Sequence, residues 1–595
     1  MLRPVVMRRL FQHNLSCTSA SNCTMRYLLV ATDYDGTLAS QGQVDDSALA
    51  ALERVRASGR KLILVTGRHL PDLNKVFNKL DLFHRVVAEN GALLYRPASR
   101  QEKLLCEPPP QRLLLRLREL QIPFSVGRGI VATREPHQGA VLNAIRKLGL
   151  ELHVIFNKGA VMVLPSGVNK ETGLKAALDE LGVSPHNVVG FGDAENDHAF
   201  LATCECAVAV ANALPVLKER ADIVTQGTNG AGVVEVIEQL LSDDLARYDS
   251  RLFRHSISLG QSMEGSGKPI LLSPHRDSIL IAGPSASGKS TVVAGILEGL
   301  VEQKYQFCLV DPEGDYENFG GAISLGTAKK SPDIDELWML LEDPVRCVIV
   351  NLLGVPVSDR PKFFSGFLPR LQELRARTAR PHWLIIDEAH HLLPSSWLPA
   401  STTVPQALES TILITVHPDH VSSAVLNAVD VMIATGKSPM SSFRSFANVL
   451  RVPPPSGADT DLQTGEALVW FRRNGHLPVR VRTTAGEIER RRHLRQYAEG
   501  ELSAQQSFYF RGAEGKLNLR AQNLVVFMQL ADGVDDTTWV YHLRQGDYSH
   551  WFRHLIKDEE LADETAAIEQ DTALSAQESR SRIKSAIERR YTAPA

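Results

Sequence analysis

The sequence predicts an α/β protein with two strand-and-helix domains and a small α+β module near its carboxyl end. Residues 26–242 alternate apolar strands with helical patterns, which is typical of a doubly wound, Rossmann-like sheet. A second alternation begins at Ile279 and continues to about Thr435. Because the chain has 595 residues, one hydrophobic core cannot hold it, and two to four domains are expected.

Changes in composition predict the domain boundaries. A polar, glycine-containing stretch separates the two alternations, and an aromatic-rich stretch precedes a charged end. Aromatic residues at that density are expected to form a core rather than a site. The expected segments are an N-terminal extension (1–25), a first domain (26–242) with a cap at about 92–167, a linker and hairpin (243–276), a second domain (277–500), a C-terminal module (506–562) and a tail (563–595).

Composition argues against two broad classes of protein. The net charge of -3 argues against a chain that binds nucleic acid over its whole surface. No stretch approaches the ~20 apolar residues of a membrane-spanning helix, so no membrane partner is expected. The 7 cysteines are scattered, which suits a reducing compartment, and a cytoplasmic location is expected.

The first 24 residues have two interpretations. They contain Arg3, Arg8 and Arg9 and no acidic residue, which is the composition of a transit peptide. Alternatively, translation begins at Met25, and the preceding residues come from an upstream start codon. We favour the second interpretation because Met25 directly precedes a predicted strand, residues 26–31.

Two aspartates follow the first strand. Asp33 and Asp35 are separated by one residue, and Gly36 and Thr37 then turn the chain. At the carboxyl end of a strand, both carboxylates can point into the crevice where α/β sheets bind ligands. One can attack phosphorus while the other transfers the leaving-group proton. Since two acids so close repel each other, a bound cation is expected.

Three later segments add groups suited to phosphate and metal. The strand 62–65 is followed by Thr66, whose hydroxyl can bind a phosphate oxygen. Lys170 precedes a predicted helix and offers a cation to the same phosphate. The strand 188–192 is followed by Asp193, an oxygen ligand suited to a hard cation.

These motifs occur in an order that resembles the haloacid dehalogenase superfamily. They read Asp-x-Asp-Gly-Thr-Leu, Thr-Gly-Arg, a lysine and Gly-Asp-x-x-Asn-Asp, and the resemblance covers residues 26–242. Glu89-Asn-Gly91 and the segment 208–212 are similar to its Cof-type phosphatases, the branch that includes sucrose- and mannosylglycerate-phosphate phosphatases. The resemblance implies a Mg²⁺-dependent phosphomonoester hydrolase, with a sugar or polyol phosphate as the expected substrate.

The resemblance also implies catalytic roles. Asp33 would be the nucleophile that forms an aspartyl-phosphate, and Asp35 would be general acid and then general base. Thr66 and Lys170 would hold the phosphoryl group.

The implied metal site involves the same loops. Asp33, the Asp35 carbonyl and Asp193 would bind Mg²⁺, and Asp197 would support the metal shell. Asn196 would orient the phosphate or the lysine.

The cap is expected to select the substrate. It follows a helix–strand–helix–hairpin pattern and is short for a Cof-type cap. Arg128, Arg134 and Lys158 can either contact a polar substrate or form a solvated face.

A phosphate-binding loop opens the second domain. The apolar strand 278–282 is followed by a glycine-rich loop and then by a helical pattern, the order that a P-loop requires. The N–H groups of this loop can surround phosphates, its lysine can reach the β- and γ-phosphate oxygens, and its last serine can bind Mg²⁺. The predicted ATP-binding residues are Gly283, Pro284, Ser285, Ala286, Ser287, Gly288, Lys289, Ser290 and Thr291.

Acidic residues also follow another strand of this predicted domain. The strand 383–386 is followed by Asp387, which would hold the Mg²⁺ shell, and by Glu388, which would polarise the attacking water. The strand that begins at Phe307 leads into acidic residues up to Tyr316, and the strand 411–415 leads to His417, which could sense the γ-phosphate.

Through Asp-Pro-Glu-Gly-Asp-Tyr and Asp-Glu-Ala-His-His-Leu, residues 260–485 resemble the HerA/FtsK-like ATPases. His417 stands where that family usually has glutamine, and the amino-terminal barrel of HerA translocases is missing. The resemblance implies a homo-oligomer, usually a hexamer, with an arginine that reaches across subunits. Arg370, Arg377 and Arg380 are candidates that spacing does not separate.

Two function hypotheses follow. The first is a phosphatase for a small phosphorylated substrate with an attached ATPase. The second is a nucleic-acid translocase whose phosphatase acts on nucleotides or ends. Arg480, Arg482 and the run 490–495 favour the second, but such runs are usually solvated faces, so nucleic acid is not the favoured partner.

Overall fold

The structure is a computed structural model. It describes residues 25–157, 159–264, 267–273, 277–285, 287–396, 410–457, 461–472, 477–484, 502, 507–512, 515, 517–556 and 558–591. The predictions for residues 1–24, Lys158, Ala286 and the basic run 490–495 therefore concern positions outside the described residues. The chain divides into two compact units, residues 1–289 with 299–482 and residues 290–298 with 483–595.

The first unit contains an eight-stranded sheet in the order β12-β11-β10-β1-β2-β3-β4-β5. The central strands pair in parallel and are buried, whereas β4 and β5 form an antiparallel edge. Its strands are β1 (Leu29–Asp33), β2 (Lys61–Val65), β3 (Arg85–Ala88), β4 (Leu93–Arg96), β5 (Gln101–Leu104), β10 (Val188–Gly192), β11 (Cys206–Ala209) and β12 (Ile223–Val224).

Helices accompany this sheet, and one of them sets the position of Lys170. The Asn169 side chain accepts a hydrogen bond from Thr172 N at 3.0 Å, and the left-handed Gly182 ends the same helix, so Lys170 is its first residue. The helices are α1 (Asp46–Ala57), α2 (Leu70–Val76), α5 (Lys170–Leu181), α6 (His198–Thr203), α7 (Pro215–Arg220) and α8 (Asn229–Asp243).

The cap is a four-stranded antiparallel sheet, in the order β6-β7-β9-β8, with two helices on one face. Leu113, Leu117 and Val141 of the helices pack on Val131 and Val163 of the sheet. Its elements are α3 (Gln111–Glu119), β6 (Ser125–Val126), β7 (Val131–Arg134), α4 (Gln138–Leu148), β8 (Leu152–Asn157) and β9 (Ala160–Pro165).

The second sheet has eleven strands in the order β14-β13-β23-β22-β21-β15-β20-β19-β16-β18-β17. The hairpin expected in the linker, β13–β14, joins the edge of this sheet instead of standing apart. The strands are β13 (Ile257–Ser262), β14 (Pro269–Leu272), β15 (Ile279–Ala282), β16 (Phe307–Asp311), β17 (Ile323–Leu325), β18 (Val348–Asn351), β19 (Trp383–Ile386), β20 (Thr411–Thr415), β21 (Val431–Thr435), β22 (Glu466–Phe471) and β23 (Val479–Thr483).

Helices alternate with these strands along the chain. Phe364, Leu371 and Phe443 are among the helical residues of the buried core on the second sheet. The helices are α9 (Lys289–Glu302), α10 (Ile334–Glu342), α11 (Arg360–Thr378), α12 (Ala389–Leu392), α13 (Ser423–Leu426) and α14 (Pro439–Leu450). No described helix of the chain is both long and apolar enough to cross a membrane.

The C-terminal module extends beyond its expected end at residue 562. Trp539 and Tyr548 are buried in its core, as the aromatic density predicts, and Ile583 and Ile587 of the last helix join that core. The apolar residues of this helix form a narrow stripe among charged residues, so the segment expected as a tail belongs to the module. Its elements are β24 (Phe508–Phe510), β25 (Leu519–Ala521) and the helices Leu524–Gly533, Asp536–Gln545, Asp547–Trp551, Glu559–Gln570 and Ala576–Tyr591.

Candidate active site

The carboxyl ends of three adjacent strands gather the predicted phosphate and metal residues. Asp33 ends β1 and lies opposite Val65, the last residue of β2, so Thr66 comes directly after β2 and beside Asp33. On the other side, β10 pairs with β1 and ends one residue before Asp193. Parallel strands bring their carboxyl ends to the same edge of a sheet, which is the usual ligand-binding edge of α/β folds.

Lys170 joins two of the buried aspartates. Its Nζ lies 2.5 Å from Oδ1 of Asp33 and 2.6 Å from Oδ1 of Asp197. The side chains of Lys170, Asp33 and Asp197 are 2%, 5% and 0% exposed. Because a buried charge is costly unless it is paired, this arrangement fixes the lysine next to the proposed nucleophile.

The cluster carries more negative than positive charge. Asp33, Asp193 and Asp197 place carboxylate oxygens within 4.8 Å of one another. Burial, followed by the charge of Asp197, raises the pKa of Asp33. The neighbouring carboxylates hold the pKa of Lys170 above its usual range despite burial. Three buried carboxylates beside one ammonium group suit a divalent cation that prefers oxygen ligands.

Asp197 differs from the other two aspartates in its hydrogen bonds. Its Oδ2 accepts from the backbone N–H groups of Asp193 and Ala194 at 2.8 and 2.9 Å, and its Oδ1 accepts from Lys170. Both oxygens therefore hold the loop and the lysine in place. This geometry fits a supporting role better than that of a direct metal ligand.

Asp35 is held by an arginine to which the sequence analysis gave no role. Nε and Nη2 of Arg68 lie 2.6 Å from Oδ2 and Oδ1 of Asp35. The Arg68 backbone N–H donates to Oγ1 of Thr66 at 3.2 Å. The Thr-Gly-Arg motif thus orients both the predicted phosphate ligand, Thr66, and the predicted acid, Asp35. The place of Arg68 in the same motif as Thr66 was the sequence signal that could have indicated this role.

Asn196 contacts a second residue without an assigned role. Its Nδ2 donates to Oδ1 of Asn90 at 3.0 Å, and Nδ2 of Asn90 lies 3.2 Å from Sδ of Met162 in the cap. The preceding Glu89 is buried and accepts backbone N–H bonds from Arg128 and Gly129 at 3.1 and 2.9 Å. The Glu89-Asn-Gly91 turn therefore joins the core domain to the cap beside the site.

One face of the cap sheet looks toward the site. Met162 lies on this face because it contacts the core domain, and Ile155 is its cross-strand partner. Strand side chains alternate, so His153 and Asn157 share the face with Ile155. Among the described residues, His153 Nδ1 and Asn157 Oδ1 are buried without a hydrogen-bond partner. Strand β8 also lies against residues 195–197.

The side chains of the two cap arginines considered from the sequence are exposed. Arg128 is 69% exposed and pairs with Glu102 at 3.2 Å, and Arg134 is exposed at the end of β7.

The segment predicted as a P-loop follows β15, and two of its glycines lie where a side chain would not fit well. A Cβ on Gly283 would lie 2.5 Å from Oγ1 of Thr435, and Gly288 has a φ of 92°. Nζ of Lys289 donates to the carbonyls of Gly283 and Pro284, each at 2.9 Å. Ser287 is hydrogen-bonded to Thr435 at 2.7 Å, whereas Ser285 is exposed.

Several carboxylates lie around Lys289. Burial lowers its pKa, and the charges of Glu388, Asp387 and Glu313 oppose that shift. Burial and the charge of Glu388 raise the pKa of Asp387 to about 8. Asp311 shapes the acidic turn, because its carboxylate accepts four backbone N–H bonds from residues 313–316. Ser290 and Thr291 continue the chain into α9.

The three arginines considered for contact across subunits differ in the structure. Arg380 is buried and donates to the carbonyls of Gly182, Leu341 and Glu342, so its guanidinium is committed within the chain. Arg377 pairs with Glu342, and Arg370 lies over the ring of Trp338 at 4.9 Å.

Comparison with known proteins concerns the domain built on the first sheet. A family profile described as haloacid dehalogenase-like hydrolase matches residues 30–117 and 138–237. Phosphoglycolate phosphatase 2 of Saccharolobus solfataricus is 32% identical over 230 residues, which are 37% of this chain and 95% of the relative. The chain belongs to the haloacid dehalogenase-like hydrolases.

Two further proteins are similar to the same part of the chain at lower sequence identity. Phosphoglycolate phosphatase of Methanothermobacter thermautotrophicus is 29% identical over 219 residues, 36% of this chain and 98% of the relative. A haloacid dehalogenase-like hydrolase of Bacteroides thetaiotaomicron with a solved structure is 19% identical. That comparison covers 36% of this chain and 99% of the other chain, with a TM-score of 0.33.

Proposed function

We propose that the first domain hydrolyses a small phosphate monoester through an aspartyl-phosphate at Asp33. The observation that carries this proposal is the buried contact of Asp33 with Lys170, beside Thr66 and one residue from Asp35. A carboxylate, a fixed cation and a second acid at one strand end are the groups that phosphoryl transfer requires.

The chemistry has two steps. An Asp33 oxygen bonds to phosphorus as the ester P–O bond breaks, and Asp35 gives its proton to the leaving oxygen. Asp35 then takes a proton from water, whose oxygen bonds to phosphorus as the Asp33–phosphorus linkage breaks. Lys170 and Thr66 hold the phosphoryl oxygens in both steps, and free Asp33 and inorganic phosphate result.

We propose Mg²⁺ as the cofactor. Asp33 and Asp193 supply the carboxylates, with the carbonyl of Asp35, and Asp197 keeps the Asp193 loop in place through two N–H bonds. When bound, the ion neutralises charge on the phosphate and on the aspartates. The excess of carboxylates over cations in the cluster is the support for this assignment.

For the substrate, we propose a short phosphorylated hydroxy acid in preference to the sugar or polyol phosphate that the motifs suggested. The relatives above are named for phosphoglycolate, and one is 32% identical over nearly its full length. Met162 of the cap approaches Asn90 to 3.2 Å, which leaves no room for a bulky group at that point. His153 and Asn157 offer polar atoms that such a substrate can bind.

A phosphate-release screen tests both parts. Phosphoglycolate and other two- and three-carbon phosphorylated acids are compared with hexose and polyol phosphates, with and without Mg²⁺. The expected result is release from the short acids at the highest kcat/KM, loss with chelator and loss in Asp33→Asn. Preference for hexose phosphates would overturn the substrate class and leave the phosphatase assignment standing.

We infer a second function for the loop 283–289, the binding and hydrolysis of ATP in the manner of HerA/FtsK-like ATPases. Its support is the close packing around Gly283, together with Lys289 facing Asp387 and Glu388. Isothermal titration with ATP and Mg²⁺ tests it, with Lys289→Ala expected to lose binding. The molar mass of the protein in solution, measured with and without ATP, tests whether the chain forms the expected homo-oligomer.

The nucleic-acid translocase remains an alternative. Arg480 pairs with Glu466 at 2.5 Å, so part of the charge that suggested DNA binding is compensated. A salt-sensitive shift of labelled DNA would support the translocase, and no shift at low salt would count against it.

A further inference from the structure

A group of imidazoles and one carboxylate lies beyond the carboxyl ends of β19 and β20. Ligand atoms of Glu388, His390 and His391 lie within 4.8 Å of one another. The His417 ring centroid is 5.8 Å from that of His390, and His420 is 4.8 Å from His417. The phosphatase chemistry uses none of these histidines.

Two candidate ligand atoms of this group already lie close together. Nδ1 of His390, which lies 3.1 Å from Oγ1 of Thr415, carries a lone pair in one of its two neutral tautomers and can then bind a metal. Oε2 of Glu388 lies 3.2 Å from that nitrogen, and it is buried without a hydrogen-bond partner among the described residues.

A cation at this point would pair the buried oxygen of Glu388, and a buried carboxylate is costly unless it is paired. An imidazole nitrogen and a carboxylate oxygen are both metal ligands, and here they lie 3.2 Å apart. The geometry of the group therefore suits a bound metal ion.

We propose that Glu388, His390 and His391 form a binding site for a divalent ion of the zinc class, with His417 as the fourth ligand. Tetrahedral zinc with ligands at about 2.0 Å has ligand atoms about 3.3 Å apart, close to the Glu388–His390 separation. Imidazole nitrogen favours zinc, copper and nickel, whereas Mg²⁺ prefers oxygen. The exposed rings of His391 and His417 can turn toward the ion.

The site would also affect the proposed ATPase, since zinc at Glu388 occupies the carboxylate expected to polarise water. The metal site itself does not rest on ATP hydrolysis, because binding can be measured without nucleotide. Failure of the zinc-site proposal can thus be distinguished from failure of the ATPase proposal.

The test is zinc binding to the full chain, free of any affinity tag and in excess Mg²⁺, by competition with a chromophoric chelator. The double variant H390A/H391A and the single variants H391A and H417A are compared with H550A/H554A. That control removes an exposed pair of histidines, whose ring centroids lie 4.4 Å apart. Co²⁺ absorption then reports coordination geometry.

We expect one zinc ion per chain in the wild type and in the control. H391A and H417A should each bind more than about tenfold more weakly, and H390A/H391A should lose the site. Co²⁺ should give the intense visible bands of a tetrahedral site. Absence of zinc uptake in excess Mg²⁺, wild-type affinity in H391A, or loss in the control would each overturn the proposal. H391A changes an exposed side chain, so weaker zinc binding in this variant cannot be attributed to a disrupted hydrophobic core.

Discussion

Arg68 binds both carboxylate oxygens of Asp35, with Nε and Nη2 each 2.6 Å from one of them. The two side chains are 30% and 39% exposed, so the pair lies at the mouth of the site rather than in the core. The proposed acid is thus held by a planar cation that fixes its direction. In the proposed mechanism, Arg68 would set the direction from which Asp35 gives its proton to the leaving oxygen.

The first prediction concerns this pair. Arg68→Lys should lower kcat by about tenfold or more and change KM little, because a lysine cannot hold both oxygens. The pH profile of kcat should also change, which a purely structural loss would not cause. Arg54→Ala, at another arginine paired with a carboxylate, Glu238, is the control and should keep wild-type kinetics. An unchanged kcat and pH profile in Arg68→Lys would refute the positioning role.

The second prediction concerns the cap face. His153→Ala and Asn157→Ala should each raise KM for the preferred substrate about five- to tenfold, the effect of losing one hydrogen bond. Arg146→Ala, an exposed residue of α4, is the matched cap control. Kinetics on phosphoglycolate and on an aryl phosphate distinguish recognition from folding. If both His153→Ala and Asn157→Ala kept the wild-type KM, the cap face would not contact the substrate.

The third prediction concerns pH and metal. The pKa of Asp33 is raised in the folded chain, so without metal the native state holds a proton that the unfolded chain releases. Its contribution to the free energy of unfolding should therefore fall as pH rises above the usual carboxyl range, until the raised pKa is passed.

Thermal unfolding at pH 5–8 measures this effect. In chelator, the fall of Tm with pH should be smaller in Asp33→Asn than in the wild type. Stabilisation by Mg²⁺ should grow with pH, because the metal binds the ionised carboxylates. Parallel curves for the two proteins would show that Asp33 does not titrate in this range.

The fourth prediction separates the two sites. Lys289→Ala should lose ATP binding, whereas Glu388→Gln should bind ATP and hydrolyse it slowly, because it keeps the shape but loses the carboxylate. Phosphate-monoester turnover should persist in both variants. Nucleotide binding and both turnovers are measured on the same samples. Parental ATP hydrolysis in Glu388→Gln would point to another acid such as Glu313, and loss of monoester turnover in folded variants would show that the sites are coupled.

The sequence predicted the first sheet and its motif residues because parallel strands bring their carboxyl ends together. Asp33 ends an apolar strand, and Thr66 and Asp193 each come directly after one, so the order of the strands is enough to predict that these three residues lie together. The sequence predicted Lys170 directly before a helix, whereas in the structure it is the first residue of that helix. Its contacts with two aspartates depend on where that helix packs, which spacing alone does not give.

Contacts between distant segments were not predictable in the same way. Arg68 with Asp35, and Glu89 with the backbone of residues 128–129, depend on side-chain direction and on the closure of the cap. The sequence predicted the hairpin β13–β14 as part of a linker, because the strand with which it pairs, β23, lies some two hundred residues later in the chain. The sequence predicted the last helix as part of a tail, because its charged residues outnumber the two isoleucines, Ile583 and Ile587, that are buried in the core.

The most direct test of the central claim is to trap the phosphoryl group on Asp33. The chain is mixed with a radiolabelled phosphate monoester that has a good leaving group, quenched in acid within one turnover and digested. The account predicts label on the peptide that contains Asp33, released by hydroxylamine as expected for an acyl phosphate. Asp35→Asn should accumulate more label because it lacks the base for the second step, and Asp33→Asn should carry none. Rapid turnover with no label on the chain, or label in Asp33→Asn, would contradict the account.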